Sequence, residues 1–141
     1  MDKKNKRILI ISLAVALPLL AAALMSLFLL SEPDGFMTVT PAKALKLMET
    51  RKDLLVIDVR GQDELWQGSI EGSLLMPFTE IVQGRMTPPK DKPILLVCAV
   101  GGRSLGLGRA MVEYGWKEVY NLKGGIDEWK REGYPLKYPS R

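Results

Sequence analysis

The sequence predicts an α/β domain built on a mainly parallel sheet with helices on both faces, carried behind one apolar N-terminal helix. Three observations predict it. The continuous apolar runs DLLVIDV (53–59) and ILLVCAV (94–100) have the β-branched content of strands buried on both faces. From Phe36 onward, short strand patterns alternate with helix patterns, the order that builds parallel sheets. Residues Ile8–Leu30 run 23 positions without a charge.

That first run follows MDKKNKR, which holds four basic residues and one acidic one. A helix of its length spans ~35 Å, enough to cross a bilayer core. Pro18 is tolerated in such a helix. With cations before it and SEPDG after it, residues 1–7 are expected in the cytoplasm. Residues 8–30 then form a single-pass anchor in the inner (plasma) membrane, and the rest of the chain is extracytoplasmic. A cleaved signal peptide is the rival, with AAA at 21–23 as the cleavage site. It would leave LMSLFLL as an exposed apolar start, and the run exceeds an ordinary signal core. The linker, residues 31–35, is short enough to hold the domain close to the bilayer.

The domain, residues 36–141, is read element by element. FMTVT is a short strand. TPAKALKLMETR is a helix, with Thr40 as N-cap, Pro41 at the first helical position, and Ala44, Leu45, Leu47 and Met48 on its apolar face. DLLVIDV is a buried strand, GQDELWQGS a short helix, SLLMPF a short strand, and FTEIVQGRM a weak helix ending near Gly84. TPPKDKP is a turn before the second buried strand, ILLVCAV. RSLGLGRAMVEYG is a helix closed by Gly115, EVYNL a strand, and GGIDEWKREG a helix closed by Gly133. YPLKYPSR, with two prolines, is expected as an extended tail. Trp66 and Trp129 stand at helical positions and are expected in the core.

Composition excludes several chemistries. From Ser31 onward 16 basic residues face 15 acidic ones, so there is no basic surface for nucleic acid. No histidine is present, which excludes Cys-His and Ser-His-Asp catalysis and histidine metal sites. A single cysteine excludes an internal disulfide and a zinc cluster. No EF-hand spacing occurs, and neither a metal nor a cofactor is expected.

That cysteine opens the stretch CAVGGRS, Cys98, Ala99, Val100, Gly101, Gly102, Arg103 and Ser104. The glycines let the loop curl with its amides turned inward. The helix behind it adds partial positive charge and Arg103 a full one. Such a cradle favours an anion and lowers a cysteine's pKa, giving a thiolate nucleophile. The competing reading is an inert cysteine packed at a strand end. A second candidate, Asp58–Val59–Arg60, ends the preceding buried strand, and in open α/β sheets sites lie at strand carboxyl ends.

VIDVRGQDELWQGSIEGSLLMPF, ILLVCAVGGRS and VYNLKGGIDEWKREGYPL, in that order and spacing, resemble the rhodanese (sulfurtransferase) family over about Phe36 to Leu136. The resemblance implies a small α/β domain on a five-stranded, mostly parallel sheet. It implies that Cys98 accepts a sulfane sulfur as a persulfide and passes it to a thiophilic acceptor. The amides of the loop 99–103 would hold the outer sulfur's charge, and Ser104 would hydrogen-bond the thiolate. Asp58 and Arg60 match a paired Asp-x-Arg motif that supports the loop, and Glu64 stands where the family places the arginine's partner. NLKGG matches the turn before the last helix, its glycines serving the backbone.

Phosphatases and arsenate reductases of the same fold carry five residues between cysteine and arginine. Four stand here, which selects sulfur over a tetrahedral oxyanion. Ala99 and Val100 give an uncharged rim, whereas members of the family efficient with thiosulfate tend to carry cations there, so weak thiosulfate:cyanide activity in vitro and another physiological donor are expected. Arg60, Arg85 and Lys123 are the cations left to reach the mouth. The alternative is a non-catalytic binding or regulatory module of the same fold. The partners expected are a small sulfane donor, a thiophilic acceptor, the lipid bilayer and an integral-membrane protein receiving the sulfur.

Overall fold

The computed structural model describes residues 2–139, with the backbone alone for residues 3–9, 11 and 28–30. The chain divides into two compact units, Met1–Glu32 and Pro33–Arg141. The first is one helix, α1 (Lys3–Leu30), with Pro18 inside it. Among the described residues, no helix is long and apolar enough to cross a membrane. The expected crossing, Ile8–Leu30, lies partly outside the described side chains.

The second unit contains β1 (Phe36–Val39), α2 (Pro41–Thr50), β2 (Leu55–Asp58), a 3-10 helix (Gln62–Gln67), β3 (Leu74–Leu75), α3 (Phe78–Val82), β4 (Ile94–Val97), α4 (Gly102–Glu113), β5 (Val119–Leu122) and α5 (Gly125–Arg131). The strands form one sheet in the order β1-β5-β4-β2-β3. All four ladders are parallel, so the expected "mostly parallel" sheet is parallel throughout its named strands. An isolated antiparallel bridge joins Ser69 and Lys137.

The continuous apolar runs have a direct cause. β4 lies in the middle of the sheet, and Ile94, Leu95, Leu96 and Val97 are all fully buried. Their side chains alternate between two cores. Ile94 and Leu96 join Phe36, Ile57, Val59, Leu107, Met111 and Val119, with α4 covering that face. Leu95 and Val97 join Val39, Ala44, Val56, Leu122, Ile126 and Trp129, with α2 and α5 covering the other. α4 lies so close to β1 that a Cβ on Gly108 would fall 2.4 Å from the Phe36 ring. The Thr40 hydroxyl caps α2 by accepting from the Lys43 N–H, and Pro41 occupies the first turn as expected.

Two local expectations change. GQDELWQGS winds as a 3-10 helix, at three residues per turn, so helical spacing misplaces its residues. Trp66 is accordingly 71% exposed, not core, whereas Trp129 is 1% exposed. The tail carries no helix, in keeping with an extended segment, and is packed: the Trp129 indole N–H donates to the Pro135 carbonyl, the Tyr134 ring lies 4.9 Å from the Trp129 ring, and Lys137 pairs with Ser69.

Strand order also fixes where a site can form. From β2 the chain leaves toward the edge strand β3, while from β4 it leaves toward β5 on the other side. The carboxyl ends of neighbouring strands β2 and β4 therefore flank a topological switch point, where such sheets open a crevice.

Candidate active site

Both sequence candidates lie at that switch point. Asp58 ends β2, and Cys98 follows β4 by one residue, in register beyond the Asp58–Val97 pair. The strand ends at Val97 and not at Val100, because Gly101 takes a left-handed conformation (φ +87°) and turns the chain into α4. Only glycine enters that region without strain. A Cβ there would also meet the Gly124 amide nitrogen at 3.0 Å.

The turn brings donors onto the sulfur. The Gly101 N–H donates to Cys98 Sγ at 3.2 Å, and the Ser104 hydroxyl reaches Sγ at 3.2 Å. That hydroxyl has one proton and a second acceptor, the Gly101 carbonyl, at 3.3 Å. A charged sulfur is the stronger acceptor of the two. Gly102, Arg103 and Ser104 form the first turn of α4, whose amides have no intrahelical acceptor and carry the positive end of the helix dipole. Cys98 is 1% exposed and Ser104 is buried, while Ala99 is half-buried and Val100 is 66% exposed. The Cys98 sulfur thus sits at the bottom of a loop whose rim residues, Ala99 and Val100, are apolar.

Arg103 is held from the side. Its guanidinium donates to both Glu64 oxygens, at 2.8 and 2.5 Å, in a forked pair. The Glu64 carboxylate also accepts the Gly61 N–H at 2.9 Å. The Arg103 hydrogen bond is the main reason the Glu64 carboxyl is held down at about 2, with partial burial opposing it. Arg103 is raised above its ordinary value, chiefly by Glu64, with a smaller contribution from Cys98.

Asp58 and Arg60 form a second, buried pair. Arg60 is 0% exposed, and its Nε and Nη2 contact Asp58 at 3.0 and 2.7 Å. Nη2 also donates to the Gly68 carbonyl at 2.8 Å, and Nη1 to the Glu64 carbonyl at 3.4 Å. Arg60 thus ties the end of β2 to the segment that carries Glu64. Removing one partner from such a pair generally costs about 3–5 kcal/mol, because the other is left charged and buried. Arg60 does not reach the mouth, and Arg85 is committed to Glu80. Of the three cations considered, Lys123 alone carries no ion pair among the described residues, and it is exposed.

A further support was not foreseen. The first amides of α5 grip the loop from behind: Ile126 N–H donates to the Cys98 carbonyl at 2.9 Å, and Asp127 N–H to the Ala99 carbonyl at 3.0 Å. The Gly124–Gly125 pair permits this, both residues having positive φ. Its only sequence signal was the glycine pair itself. Among the described residues no cluster of metal-ligating side chains occurs.

One consequence of the Glu64–Arg103 pair is measurable. A carboxyl depressed from 4.5 to about 2 stabilises the fold above its unfolded value, and that contribution disappears as pH falls through the folded value. Arg103 is partly exposed, so solvent screening limits the amount to on the order of 1–2 kcal/mol. Between about pH 4.5 and 2, wild-type unfolding free energy should therefore fall more steeply than that of Glu64→Gln, by roughly this amount. Urea titrations across that window check it, and parallel curves would sink it.

The rhodanese-like domain family model matches residues 40–132. A sulfurtransferase of Allochromatium vinosum is 35% identical over 89 residues, covering 62% of this chain and 82% of that protein. The thiosulfate sulfurtransferase GlpE of Coxiella burnetii is 34% identical over 80 residues, covering 57% and 75%. Among solved structures, a rhodanese-related protein from Thermoplasma volcanium superposes with a TM-score of 0.63 at 32% identity, covering 73% of this chain and 99% of that one. With the cysteine loop, the parallel five-stranded sheet and a family match over most of its folded unit, this chain belongs to the rhodanese-like domain family.

Proposed function

We propose that this protein is a membrane-anchored sulfurtransferase that moves a sulfane sulfur through a persulfide on Cys98. The observation that carries this reading is the polar environment of an otherwise buried sulfur. A cysteine that merely fills core space needs no hydrogen bonds, yet Sγ receives the Gly101 N–H and the Ser104 hydroxyl at the N-terminus of α4. Relatives named sulfurtransferase support the same chemistry.

In the first step the Cys98 thiolate attacks the sulfane sulfur of the donor. A new S–S bond forms, the bond between that sulfur and the rest of the donor breaks, and the remainder leaves with the electron pair. In the second step a thiophilic acceptor attacks the outer sulfur, and Cys98 departs as thiolate. Preorganised amides facing developing negative charge are the natural source of rate in such a site. Four residues between Cys98 and Arg103, and a Cys98 that is 1% exposed, suit one incoming atom better than a tetrahedral oxyanion.

The donor is a sulfane compound other than thiosulfate. Arg103 is engaged by Glu64, Arg60 is buried, and Ala99 and Val100 are uncharged, so little at the rim attracts a dianion. The anchor is Ile8–Leu30, supported by 23 uncharged residues within a continuous helix and by the basic flank before it. On this reading the domain stands on the extracytoplasmic side of the inner membrane, where an integral-membrane partner is a suitable sulfur acceptor.

The second reading, a non-catalytic module, is favoured by one observation, the burial of Cys98 within the α4-side core. Intact mass spectrometry separates the two. Incubated with polysulfide or an organic persulfide, the full chain in detergent should gain one sulfur atom that thiol or cyanide removes. No gain with either donor, from a folded protein, would leave the binding module as the function.

A further inference from the structure

Two hydrogen-bond donors meet Cys98 Sγ, and one of them is free to turn away. The Gly101 N–H, at 3.2 Å, belongs to a backbone fixed by the left-handed turn at that residue. The Ser104 hydroxyl, also at 3.2 Å, rotates about its Cβ–Oγ bond. A second acceptor, the Gly101 carbonyl, stands 3.3 Å from the same oxygen. Ser104 is 0% exposed, so bulk solvent does not compete for its proton. Neither acceptor is stranded when that proton goes to the other. The Gly101 carbonyl also accepts the Leu105 N–H at 3.1 Å, and Sγ keeps the Gly101 N–H. The hydroxyl therefore changes acceptor without leaving an unpaired buried group behind, which is the usual cost of breaking a hydrogen bond inside a protein.

We infer that the Ser104 hydroxyl is a two-position switch driven by the charge on Cys98 Sγ, and that it speeds the release of sulfur and slows its capture. This rests on the sulfur-transfer reading of Cys98. In the thiolate, Sγ carries full negative charge and outcompetes the carbonyl for the proton. In the persulfide, Sγ is the inner, uncharged sulfur and a weak acceptor, so the proton goes to the Gly101 carbonyl. During capture the hydroxyl starts on Sγ and lets go as the new S–S bond forms, which holds back the attack. During release it starts on the carbonyl and turns to Sγ as charge arrives there. A bond made in the transition state and absent from the ground state accelerates a step, and one lost on the way slows it.

Ser104 gives up no proton in either direction. In release to cyanide, the carbon forms a bond to the outer sulfur of the protonated persulfide, the S–S bond to Cys98 breaks, and Sγ receives the electron pair. The outer sulfur leaves as thiocyanic acid, which loses its proton to water. The Ser104 proton stays on its own oxygen throughout and changes only the acceptor it faces.

The test times the two half-reactions separately, by intact mass, on the full chain in detergent. Capture is loading by inorganic polysulfide, read on the high-pH plateau of each protein's rate profile. Release is discharge of the isolated, loaded protein by cyanide. A hydrogen bond to a charged acceptor is worth more than about tenfold in an equilibrium, and thiol–disulfide exchange divides such an effect about evenly between the attacking and the departing sulfur. Ser104→Ala should therefore release sulfur about fivefold more slowly and capture it about threefold faster, raising the ratio of loaded to free protein by about fifteenfold. Ser104→Thr, which keeps the hydroxyl, should restore both rates. Movement of the two rates in opposite directions separates a switch from a loosened loop, which slows both. Equal falls in both rates, an unchanged release rate, or an alanine variant that fails to load where the wild type loads, overturns the inference and leaves the persulfide in place. A wild-type chain that never loads sulfur instead overturns the reading beneath it.

Discussion

Cys98→Ser should keep the fold and lose sulfur transfer to the background rate, a fall of at least about a thousandfold for the residue proposed to carry the persulfide. The serine oxygen would occupy the place of Sγ, within reach of the same Gly101 N–H and Ser104 hydroxyl. Stability should therefore change by no more than about 1 kcal/mol, the size of one neutral hydrogen bond. Chemistry is another matter. A hydroxyl is far less nucleophilic than a thiolate unless a base removes its proton, and the chain contains no histidine to do so. The carboxylates of Asp58 and Glu64 are engaged, by Arg60 and Arg103 respectively. The measurement is the rate of sulfur release to cyanide from a donor, alongside a urea titration. More than a tenth of wild-type activity in a folded Cys98→Ser protein would remove Cys98 from the reaction.

What could be read from the sequence about this site was what lies close along the chain. Cys98 to Ser104 is contiguous, and its buried strand, glycine turn and helix start are local signals that the structure places as one loop. Thr40 and Pro41 announced α2 for the same reason. Long-range contacts had no such signal. Glu64 and Arg103 are 39 residues apart, and the pair came from family resemblance, not from spacing. The grip of α5 on the Cys98 and Ala99 carbonyls runs through backbone groups, which every residue carries, so side-chain identity reveals nothing of it. Trp66 was placed in the core because a period of 3.6 was applied where the chain winds at 3.0. The tail read as extended because its prolines are local facts, whereas its bridge from Lys137 to Ser69 joins residues 68 positions apart and has no local signal.

Gly125→Ala should be among the most damaging single-methyl additions in the domain, and Gly72→Ala supplies its control. Both glycines have positive φ, +59° and +77°. A non-glycine residue in that region costs on the order of 1–2 kcal/mol by itself. At Gly72 nothing lies within 4 Å of an added Cβ, so that conformational cost is the whole effect. At Gly125 the Cβ would stand 2.2 Å from the Cys98 carbonyl oxygen and 2.5 Å from that of Ala99. These are backbone atoms and cannot rotate away. They are also the acceptors of the Ile126 and Asp127 amides, so any shift that relieves the contact lengthens both bonds. Each bond is worth about 1 kcal/mol, and stranding its buried groups costs more. Gly125→Ala should thus lose roughly 2–3 kcal/mol beyond Gly72→Ala, a large part of the 5–15 kcal/mol that holds a typical domain together. The effect on reaction should be larger than on stability. The displaced carbonyls belong to the cysteine and its neighbour, and a displacement near 1 Å at a reacting atom commonly costs about a hundredfold. Sulfur release by the two variants, measured below their melting temperatures, should differ by about that factor. If Gly125→Ala matched Gly72→Ala in both stability and rate, the contact between α5 and the loop would not be what holds Cys98 in place.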